Sequence, residues 1–476
     1  MNNTSDTGTG DSTGTGDSTG TGDSTGTSGR SVRSVRSVKS GRTGGAGGTR
    51  RDVDVLVVGA GPAGLAAAAR LAALGAGRVE ILEREREPGG VPRHCFHRGF
   101  GTGAESVDGP AYAGRWTAAA ERAGARLRTG VTALGWTGPL TLATTGPDGP
   151  AEVTARAVVL ATGARERPRA ARLVPGTRPA GVLTTGELQQ SVYLYRQDVG
   201  RRAVVVGAEQ VSYHAVDTLR RAGVAPVAMV TEYDRHQASP AHATATRLRY
   251  GVPLLTRTTV TELVGHGRLA GVRLRHSDGR TTTLACDTVV FTGDFVPEHE
   301  LARDGGLVLD PGTRGPAVDM SFRTTRDGVF AVGSLLHAAE PAATAAREGV
   351  LAAVPVLAHL AAVPGTHRAA PVPVRVDAPL RWIAPNLLAT ATARQPFVLR
   401  TARFLDRPVL QVAQDGRVLH HERLRGTAVP NRTVRMSAAW VRDVDPDGGT
   451  VRVTVLGTTG GSPTEHPATD DGTHAS

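Results

Sequence analysis

From residue 52 onward, the hydrophobic pattern predicts strands that alternate with helices. Residues 53–58 are almost continuously apolar, as expected of a parallel strand that is buried on both faces. A glycine-rich turn follows, and the next residues predict an alanine-rich helix over 62–74 and a strand over 78–82. This order of elements is typical of one half of a doubly wound α/β sheet.

The same order recurs in the middle of the chain. Residues 201–231 predict a strand, a turn, a helix and a second strand. Apolar runs at 157–160 and 288–291 predict two more buried strands. The repeated alternation indicates an α/β fold with two Rossmann-like dinucleotide-binding domains.

After residue 366 the pattern changes to short strands joined by tight turns. Residues 409–414 and 417–421 flank an Asp-Gly pair, which is a strong signal for a two-residue hairpin. Residues 440–445 and 450–455 flank a Pro-Asp-Gly-Gly turn and predict two further strands. We therefore predict a small β-rich domain over 370–458.

Both ends of the chain are low in complexity. Residues 1–50 consist mainly of Gly, Ser and Thr with repeated short units, and residues 459–476 are also polar. Such segments bury too little apolar surface to offset the entropy of ordering. We predict that both tails are disordered.

The formal charge of +11 raises the question of nucleic-acid binding. Lys39 is the only lysine, the arginines are dispersed, and aromatic residues make up only 4% of the chain. These features lack the basic patch with interleaved aromatics that is expected of a nucleic-acid interface. We predict no nucleic-acid partner.

Cysteine content and hydropathy set further limits. The only cysteines, Cys95 and Cys286, form no C-x-x-C pair, which argues against a disulfide scaffold, an iron–sulfur domain or a zinc ribbon. No run of 18 apolar residues exists, so we predict no membrane span. The N-terminus has no apolar secretory signal, and we expect a cytoplasmic protein.

The strongest motif is GAGPAG at residues 59–64, between the first strand and its helix. Gly59 permits the tight turn, Gly61 lets a pyrophosphate approach the backbone, and Gly64 lets the helix pack closely. The start of the helix at Pro62 and Ala63 offers free N–H groups to phosphates. Glu83 ends the next strand, where its carboxylate can accept hydrogen bonds from a ribose. The motif predicts a bound dinucleotide, either FAD or NAD.

Three segments together with this motif resemble the pyridine nucleotide-disulfide oxidoreductase superfamily of two-domain flavoproteins. They are Ala-Thr-Gly at 161–163, the GVFAVG motif at 328–333 and the helix predicted over 340–353. The resemblance implies FAD as cofactor and a second dinucleotide-binding domain inserted in the first. Where the family usually has Asp after the last glycine, this chain has Ser334. Further cofactor-binding residues that the resemblance implies are Gly90, Arg93, Val131, Thr162, Gly163 and Gly333.

A narrower resemblance is carried by GGVPRHCFHRGFG at 89–101 and GPAYA at 109–113. This pattern is similar to flavoprotein partners of glycerol-3-phosphate dehydrogenases, opine oxidase A subunits and hydrogen cyanide synthase B subunits. The resemblance implies a small amine, opine or polyol substrate. It also implies a second flavoprotein subunit as a protein partner.

The segment after residue 89 also supplies the candidate catalytic residues. His94, Cys95 and His97 are expected near the flavin, where a histidine could relay a proton. The alternative role for these three residues is to pack the loop and to form hydrogen bonds with FAD. An internal redox disulfide is excluded because Cys95 has no partner cysteine in the segment. We predict no metal site, because these three residues lack a fourth ligand. For His337, an exposed loop position is the favoured prediction.

The second Rossmann unit has a broken turn, GAEQVS at 207–212. Glu209 places a negative charge where a pyrophosphate must approach, and Ser212 replaces the last glycine. Glu232 ends the following strand and could still bind a ribose. The sequence therefore makes NAD(P) binding doubtful while retaining the fold.

These signals combine into a domain plan and three functional hypotheses. The first is an FAD-dependent dehydrogenase or oxidase subunit, the second an NAD(P)H-dependent flavin reductase, and the third a flavin-binding scaffold without catalysis. The predicted domains are the FAD-binding domain in two parts, 52–170 and 286–365, the inserted NAD(P)-binding-like domain, 171–285, and the β-rich domain.

Overall fold

The structure is a computed structural model that describes residues 49–101, 106–338, 340–362, 370–389 and 395–457. All of them belong to one compact unit, Gly48–Ser476. The predicted N-terminal tail lies outside the described residues except for its last two, which begin the first strand. The predicted C-terminal tail lies wholly outside them. Within the described part, no helix is long and apolar enough to cross a membrane.

The first part of the chain forms most of the first sheet. Its elements are β1 (Thr49–Val58), α1 (Pro62–Ala73), β2 (Val79–Glu83), β3 (Arg98–Phe100), β4 (Val107–Asp108), α2 (Gly109–Arg122), β5 (Arg126–Thr129), β6 (Thr132–Gly138), β7 (Thr141–Gly146), β8 (Gly149–Leu160) and β9 (Ala164–Glu166). A sheet of order β5-β2-β1-β8-β7-β6 results. Strands β5, β2, β1 and β8 are parallel, whereas β6, β7 and β8 form an antiparallel meander.

The middle part forms a second, separate sheet. Its elements are β10 (Val182–Thr184), α3 (Thr185–Gln189), β11 (Arg202–Val206), α4 (Gln210–Arg221), β12 (Ala225–Val230), α5 (Pro240–Tyr250), β13 (Leu254–Leu255), β14 (Thr258–His266), β15 (Arg268–His276), β16 (Thr281–Ala285) and β17 (Thr288–Phe291). Strands β10-β17-β11-β12-β13 make a parallel five-stranded sheet, and β14-β15-β16 make a small antiparallel one. The strand at 288–291 is thus part of the second sheet, which runs past the predicted boundary at 285.

The chain then returns to the first sheet. The returning elements are β18 (Phe295–Pro297), α6 (Glu300–Asp304), β19 (Val329–Ala331), α7 (Ser334–His337) and α8 (Ala342–Ala361). Strand β19 pairs in parallel with β8, so the second sheet is inserted between strands of the first. The antiparallel pair β9 and β18 carries the chain into and out of the insertion. The predicted α/β fold with one Rossmann-like unit inserted in the other is confirmed.

The C-terminal part is built from short strands. They are β20 (Val372–Val376), β21 (Leu380–Ala384), β22 (Leu387–Leu388), β23 (Phe397–Thr401), β24 (Val409–Gln414), β25 (Arg417–Arg423), β26 (Val434–Met436) and β27 (Val451–Leu456). They form sheets of order β22-β20-β27-β24-β25 and β21-β23-β26 around a core of their own. The predicted hairpin is present, with Asp415 at φ +48° and Gly416 at φ +81°.

The strand predicted over 440–445 was wrong. Residues Ala439–Asp443 form a 3-10 helix, which turns Trp440 inward to stack on Phe397 at 4.9 Å between ring centroids. Burial of the large ring is better served by this turn than by an extended strand. The domain boundaries taken together remain a prediction.

The core of the first domain depends on very close packing of α1 against its neighbours. A methyl group added to Gly349 on α8 would lie 2.0 Å from the carbonyl oxygen of Ala63 on α1. The backbones of the two helices are therefore in direct contact. On the exposed face of α2, by contrast, a methyl group added to Gly114 would meet nothing within 4 Å.

We predict that Gly349→Ala and Gly114→Ala have opposite effects on stability. Gly349→Ala should lower the free energy of unfolding by about 1–3 kcal/mol, because the methyl group forces two packed helices apart. Gly114→Ala should raise it by about 0.5–1 kcal/mol through helix propensity. Urea denaturation of the FAD-loaded proteins measures both. Equal effects of the two substitutions would contradict this packing.

Candidate active site

The glycine-rich turn lies at the carboxyl end of β1. A Cβ atom at Gly59, whose φ is +105°, would lie 2.4 Å from the carbonyl oxygen of Ala161. A Cβ atom at Gly64 would lie 1.9 Å from the carbonyl oxygen of Gly59. Neither position has room for a side chain, so the turn packs directly on the end of β8 and on α1.

Gly61 differs from both, because a Cβ atom there would meet nothing within 4 Å. It is the N-cap of α1, and no side chain within the described part caps that helix. The first turn of α1 therefore presents unsatisfied N–H groups beside open space, which suits a pyrophosphate. Glu83 is 8% exposed and accepts hydrogen bonds from the amides of Ala60 and Glu85, both at 2.9 Å.

A cavity of about 1170 Å³ extends from this turn between the two Rossmann-like units. It brings together fourteen of the residues predicted from sequence: Gly59, Gly61, Pro62, Ala63, Glu83, Gly90, Arg93, His94, Cys95, His97, Val131, Thr162, Gly163 and Ser334. Gly64 and Gly333 are not among the residues that line it. Gly64 packs against the Gly59 carbonyl behind the turn. The backbone amide of Gly333 donates a hydrogen bond to Glu348.

The second predicted FAD segment is held by one carboxylate. Glu348 on α8 accepts a hydrogen bond from the Gly333 amide at 2.9 Å, and its other oxygen lies 2.8 Å from His337 Nε2. The expectation that His337 is an exposed loop residue was wrong, because it lies on α7 and is 2% exposed. Burial opposes the imidazolium, but the Glu348 and Glu340 carboxylates outweigh it and raise the pKa of His337.

The C-terminal domain closes one side of the same region. Its residue Arg400 forms an ion pair with Glu340 at 2.6 Å, in which the side chains are 8% and 0% exposed. Thr433 donates a hydrogen bond to the other Glu340 oxygen at 2.5 Å. Trp382 stacks on His337 with 6.0 Å between ring centroids. Glu340 also lines the cavity, so this domain supports part of the cavity wall.

Comparison with known proteins identifies the family. The family model for pyridine nucleotide-disulphide oxidoreductases matches residues 53–349, which is more than half of the chain. The chain belongs to this family. It is an FAD-dependent oxidoreductase, and the uncapped turn, the carboxylate at Glu83 and the large cavity fit that cofactor.

Several curated relatives are similar to this member of the family. The alpha subunit of sarcosine oxidase from Corynebacterium sp. (strain P-1) is 30% identical over 70% of this chain and 35% of its own length. Thioredoxin reductase from Mycolicibacterium smegmatis is 30% identical over 63% of this chain and 94% of its own length. The opine oxidase A subunit from Agrobacterium tumefaciens (strain Ach5) is 27% identical over 63% and 65%. The chain thus spans about a third of the first relative.

A solved structure shows the same fold. T. acidophilum thioredoxin reductase superposes with a TM-score of 0.56 at 24% identity, covering 65% of this chain and 98% of that one. Almost the whole of that enzyme is covered by 65% of this chain, and the family model ends at residue 349, before the C-terminal β domain begins.

Cys95 lacks the properties of a family redox cysteine. Its thiol lies 3.3 Å from Gln189 Oε1 and 3.4 Å from the Val91 carbonyl oxygen, either of which can accept its one proton. Burial, together with the charge of Glu166, raises the pKa of Cys95 to about 12, so it remains a thiol. A thiol is a poor nucleophile, and Cys286 is likewise a free, buried cysteine.

Glu166 is a candidate proton carrier that sequence reasoning missed. It ends β9, lines the cavity and accepts a hydrogen bond from the Gly186 amide at 2.8 Å. Burial raises the pKa of Glu166 to about 7. Its carboxylate and the His94 ring both lie near Gly186, whose Cβ position is 3.7 Å from Glu166 Oε2 and 4.0 Å from His94 Nε2.

Glu166 and His94 differ in the proton chemistry that each can support near pH 7. Burial lowers the pKa of His94 to about 4, so this histidine is neutral near pH 7 and suits hydrogen bonding more than acid catalysis. A carboxyl group with a pKa of about 7 can both accept and release a proton at that pH. The only sequence signal for Glu166 was its place shortly after the predicted strand end at 161–163.

The turn of the second Rossmann-like unit is filled by protein. The Glu209 carboxylate accepts a hydrogen bond from Ser212 Oγ at 2.7 Å and lies 3.2 Å from Thr292 Oγ1, and Glu209 is the N-cap residue of α4. Asn431 of the C-terminal domain approaches its other oxygen at 3.4 Å. Burial raises the pKa of Glu209. The position that a pyrophosphate takes at such a turn therefore already holds an internal carboxylate.

We predict that Gly61→Val yields a folded protein without cofactor. The new side chain meets no protein atom but projects where the pyrophosphate must approach the backbone. Gly114→Val, which adds the same side chain on the exposed face of α2, should keep full flavin content. Absorbance of the purified proteins and chromatography of the released flavin measure this. Release of FMN from the wild-type protein, or a yellow Gly61→Val protein, would contradict the assignment.

We also predict that Glu166→Gln removes a pH dependence of stability. Because the folded pKa of about 7 exceeds the ordinary 4.5, Glu166 favours folding most below about pH 4.5. That contribution is lost as the pH rises through 7. Between about pH 5 and pH 8, the wild-type protein should lose roughly 1–3 kcal/mol more free energy of unfolding than Glu166→Gln. Parallel pH profiles from urea denaturation would contradict the raised pKa.

Proposed function

We propose that this protein is the FAD-carrying subunit of a dehydrogenase or oxidase that acts on a small amine, opine or polyol. Electrons reach the flavin from the substrate or from a second flavoprotein subunit. The observation that carries this proposal is the internal carboxylate in the second Rossmann turn. It argues that NAD(P)H is not the electron donor.

Three contacts support the loss of nucleotide binding. The first is the contact of the Glu209 carboxylate with the Ser212 hydroxyl, which holds the carboxylate in the turn where a pyrophosphate would otherwise approach the start of α4. The second is Ser212, which is completely buried and hydrogen-bonded to Thr292 at 2.7 Å, so that the acid is held in place. The third is the approach of Asn431 from the C-terminal domain. A nucleotide would have to displace this buried side chain, and its phosphates would be repelled by the carboxylate charge.

The proposed substrate chemistry is oxidation beside Glu166. FAD supplies a two-electron acceptor when bound. Glu166 would take the proton that leaves an N–H or O–H group of the substrate, because its pKa of about 7 allows the exchange near neutrality. Neutral His94 is placed to hydrogen-bond the same substrate group, and His97 lines the cavity further along.

Similarity to components of oxidases supports an electron-transfer partner. The names of two relatives, the alpha subunit of sarcosine oxidase and the A subunit of opine oxidase, describe parts of larger enzymes. The substrate, the partner and the whole assembly stay proposals, since this chain spans only 35% and 65% of those relatives. A flavin reductase that uses NAD(P)H and a scaffold without catalysis are the competing functions.

We predict that neither NADH nor NADPH bleaches the flavin within seconds at millimolar concentration. Anaerobic stopped-flow absorbance measures this. Glu209→Gln serves as the matched control, because it removes the charge but keeps the side chain in the turn, and it should still fail. The double variant Glu209→Gly with Ser212→Gly reopens the turn and should recover nucleotide binding.

The outcomes separate the three functions. Rapid bleaching of the wild-type flavin would overturn the proposal in favour of an NAD(P)H-dependent reductase. Bleaching by an amine, opine or polyol, alone or with a flavoprotein partner, supports it. A flavin that stays oxidised with every donor would identify a scaffold.

A further inference from the structure

A cluster of three histidines and one aspartate lies beside the flavin cavity. His97 lies directly before β3, His214 and Asp217 lie on α4, and His242 lies on α5. His97 and His214 both line the cavity. No part of the proposed electron transfer uses His214, Asp217 or His242.

The side chains of His214, Asp217 and His242 lie close enough together to share one metal ion. One ligand atom each from His214, Asp217 and His242 lies within 4.8 Å of the other two. His214 and Asp217 are three residues apart on one helix, so both project from the same face of α4. The His97 ring stacks on His214 with 3.6 Å between centroids and an interplanar angle of 4°, and His242 meets His214 edge-on at 5.0 Å.

The imidazole rings are oriented by neighbours that leave nitrogen atoms available. His97 Nδ1 is 2.9 Å from the Arg98 carbonyl, which fixes its proton and leaves Nε2 with a lone pair. The Gln210 amide nitrogen lies 2.7 Å from His242 Nδ1 and 3.4 Å from His214 Nε2. Because an NH2 group only donates, a metal on His242 Nε2 requires this amide to turn over, so that its oxygen accepts from Nδ1–H. Among the described residues, the buried His214 Nδ1 has no hydrogen-bond partner. Backbone and amide contacts of this kind orient metal-binding histidines.

Electrostatics favours a cation here over an anionic ligand. The ligand atoms on offer are two imidazole nitrogens and one carboxylate oxygen. Neutral imidazoles are the form that binds metals. Asp217 adds one negative charge, which would repel a carboxylate or phosphate and attract a divalent ion.

We propose that His214, Asp217 and His242 bind a divalent transition-metal ion, with Zn²⁺ as the fitting representative. Two imidazoles and one carboxylate are a ligand set that zinc accepts at about 2.0–2.2 Å from each ligand atom. Small side-chain rotations would close the set to that spacing. The fourth position would face the cavity beside His97, where it could take water or a polar substrate group.

The test counts metal in tag-free, FAD-loaded protein. The protein is stripped with a chelator, dialysed against micromolar Zn²⁺, and analysed for zinc and flavin by atomic emission and absorbance. The wild-type protein should retain about one zinc per flavin. His242→Ala and Asp217→Asn should bind zinc more than about 100-fold more weakly, since the loss of an outer-shell contact alone costs 10–100-fold.

A control variant and a second readout keep the result interpretable. His420 and His421 are adjacent histidines on β25 with Glu422 and Gln411 nearby, so His420→Ala with His421→Ala removes two histidines elsewhere and should retain zinc. Added Zn²⁺ should raise the melting temperature of the wild-type protein but not of the two site variants. Absence of bound zinc in the wild type, equal retention by the site variants, or loss of zinc in the control would each overturn the proposal.

Discussion

The structure depends on how it satisfies the unpaired N–H groups at the start of two equivalent helices. Every α-helix leaves such donors at its N-terminus, and they require an acceptor. At α1 the N-cap is Gly61, which has no side chain to offer, and the turn opens into the cavity. At α4 the N-cap is Glu209, whose buried carboxylate occupies the turn and accepts a hydrogen bond from the Ser212 hydroxyl in the first turn of the helix. Two copies of one topology thus reach opposite solutions, and only the first needs an external anion.

This contrast places the two units in different roles. The first unit binds FAD, and its helix packing leaves no room for change, as the contact of Gly349 with α1 shows. The second unit contributes its outer face, since α3 and α4 supply Gly186, Gln189 and His214 to the cavity. The inserted Rossmann-like unit therefore contributes one wall of the cavity.

The fold was largely predictable because its signals are local. Apolar runs, the GAGPAG turn and the Asp-Gly hairpin each occupy a few consecutive residues, and the two-domain plan with a C-terminal β domain is confirmed. The strand predicted over 440–445 failed because burial of one tryptophan decided the local conformation. His337 was misplaced because its partner, Glu348, lies on another helix.

The site was harder to predict because its members are distant in sequence. The structure gathers most of the predicted cofactor residues around one cavity, but their roles stay predictions. Glu166 was missed because its pKa depends on burial by segments that follow it in the chain. His97, His214 and His242 come from three separate elements, and no spacing in the sequence could show that they converge.

The buried ion pair of Arg400 with Glu340 limits how this architecture can be taken apart. Glu340 is fully shielded, and its counter-charge comes from a domain outside the thioredoxin reductase-like plan. Removing one partner of such a pair typically costs about 3–5 kcal/mol, because the other charge stays buried. With the domain in place, losing either side chain alone leaves the other charge buried without its partner. Replacing Arg400 and Glu340 together by apolar residues should therefore cost less than replacing either one alone.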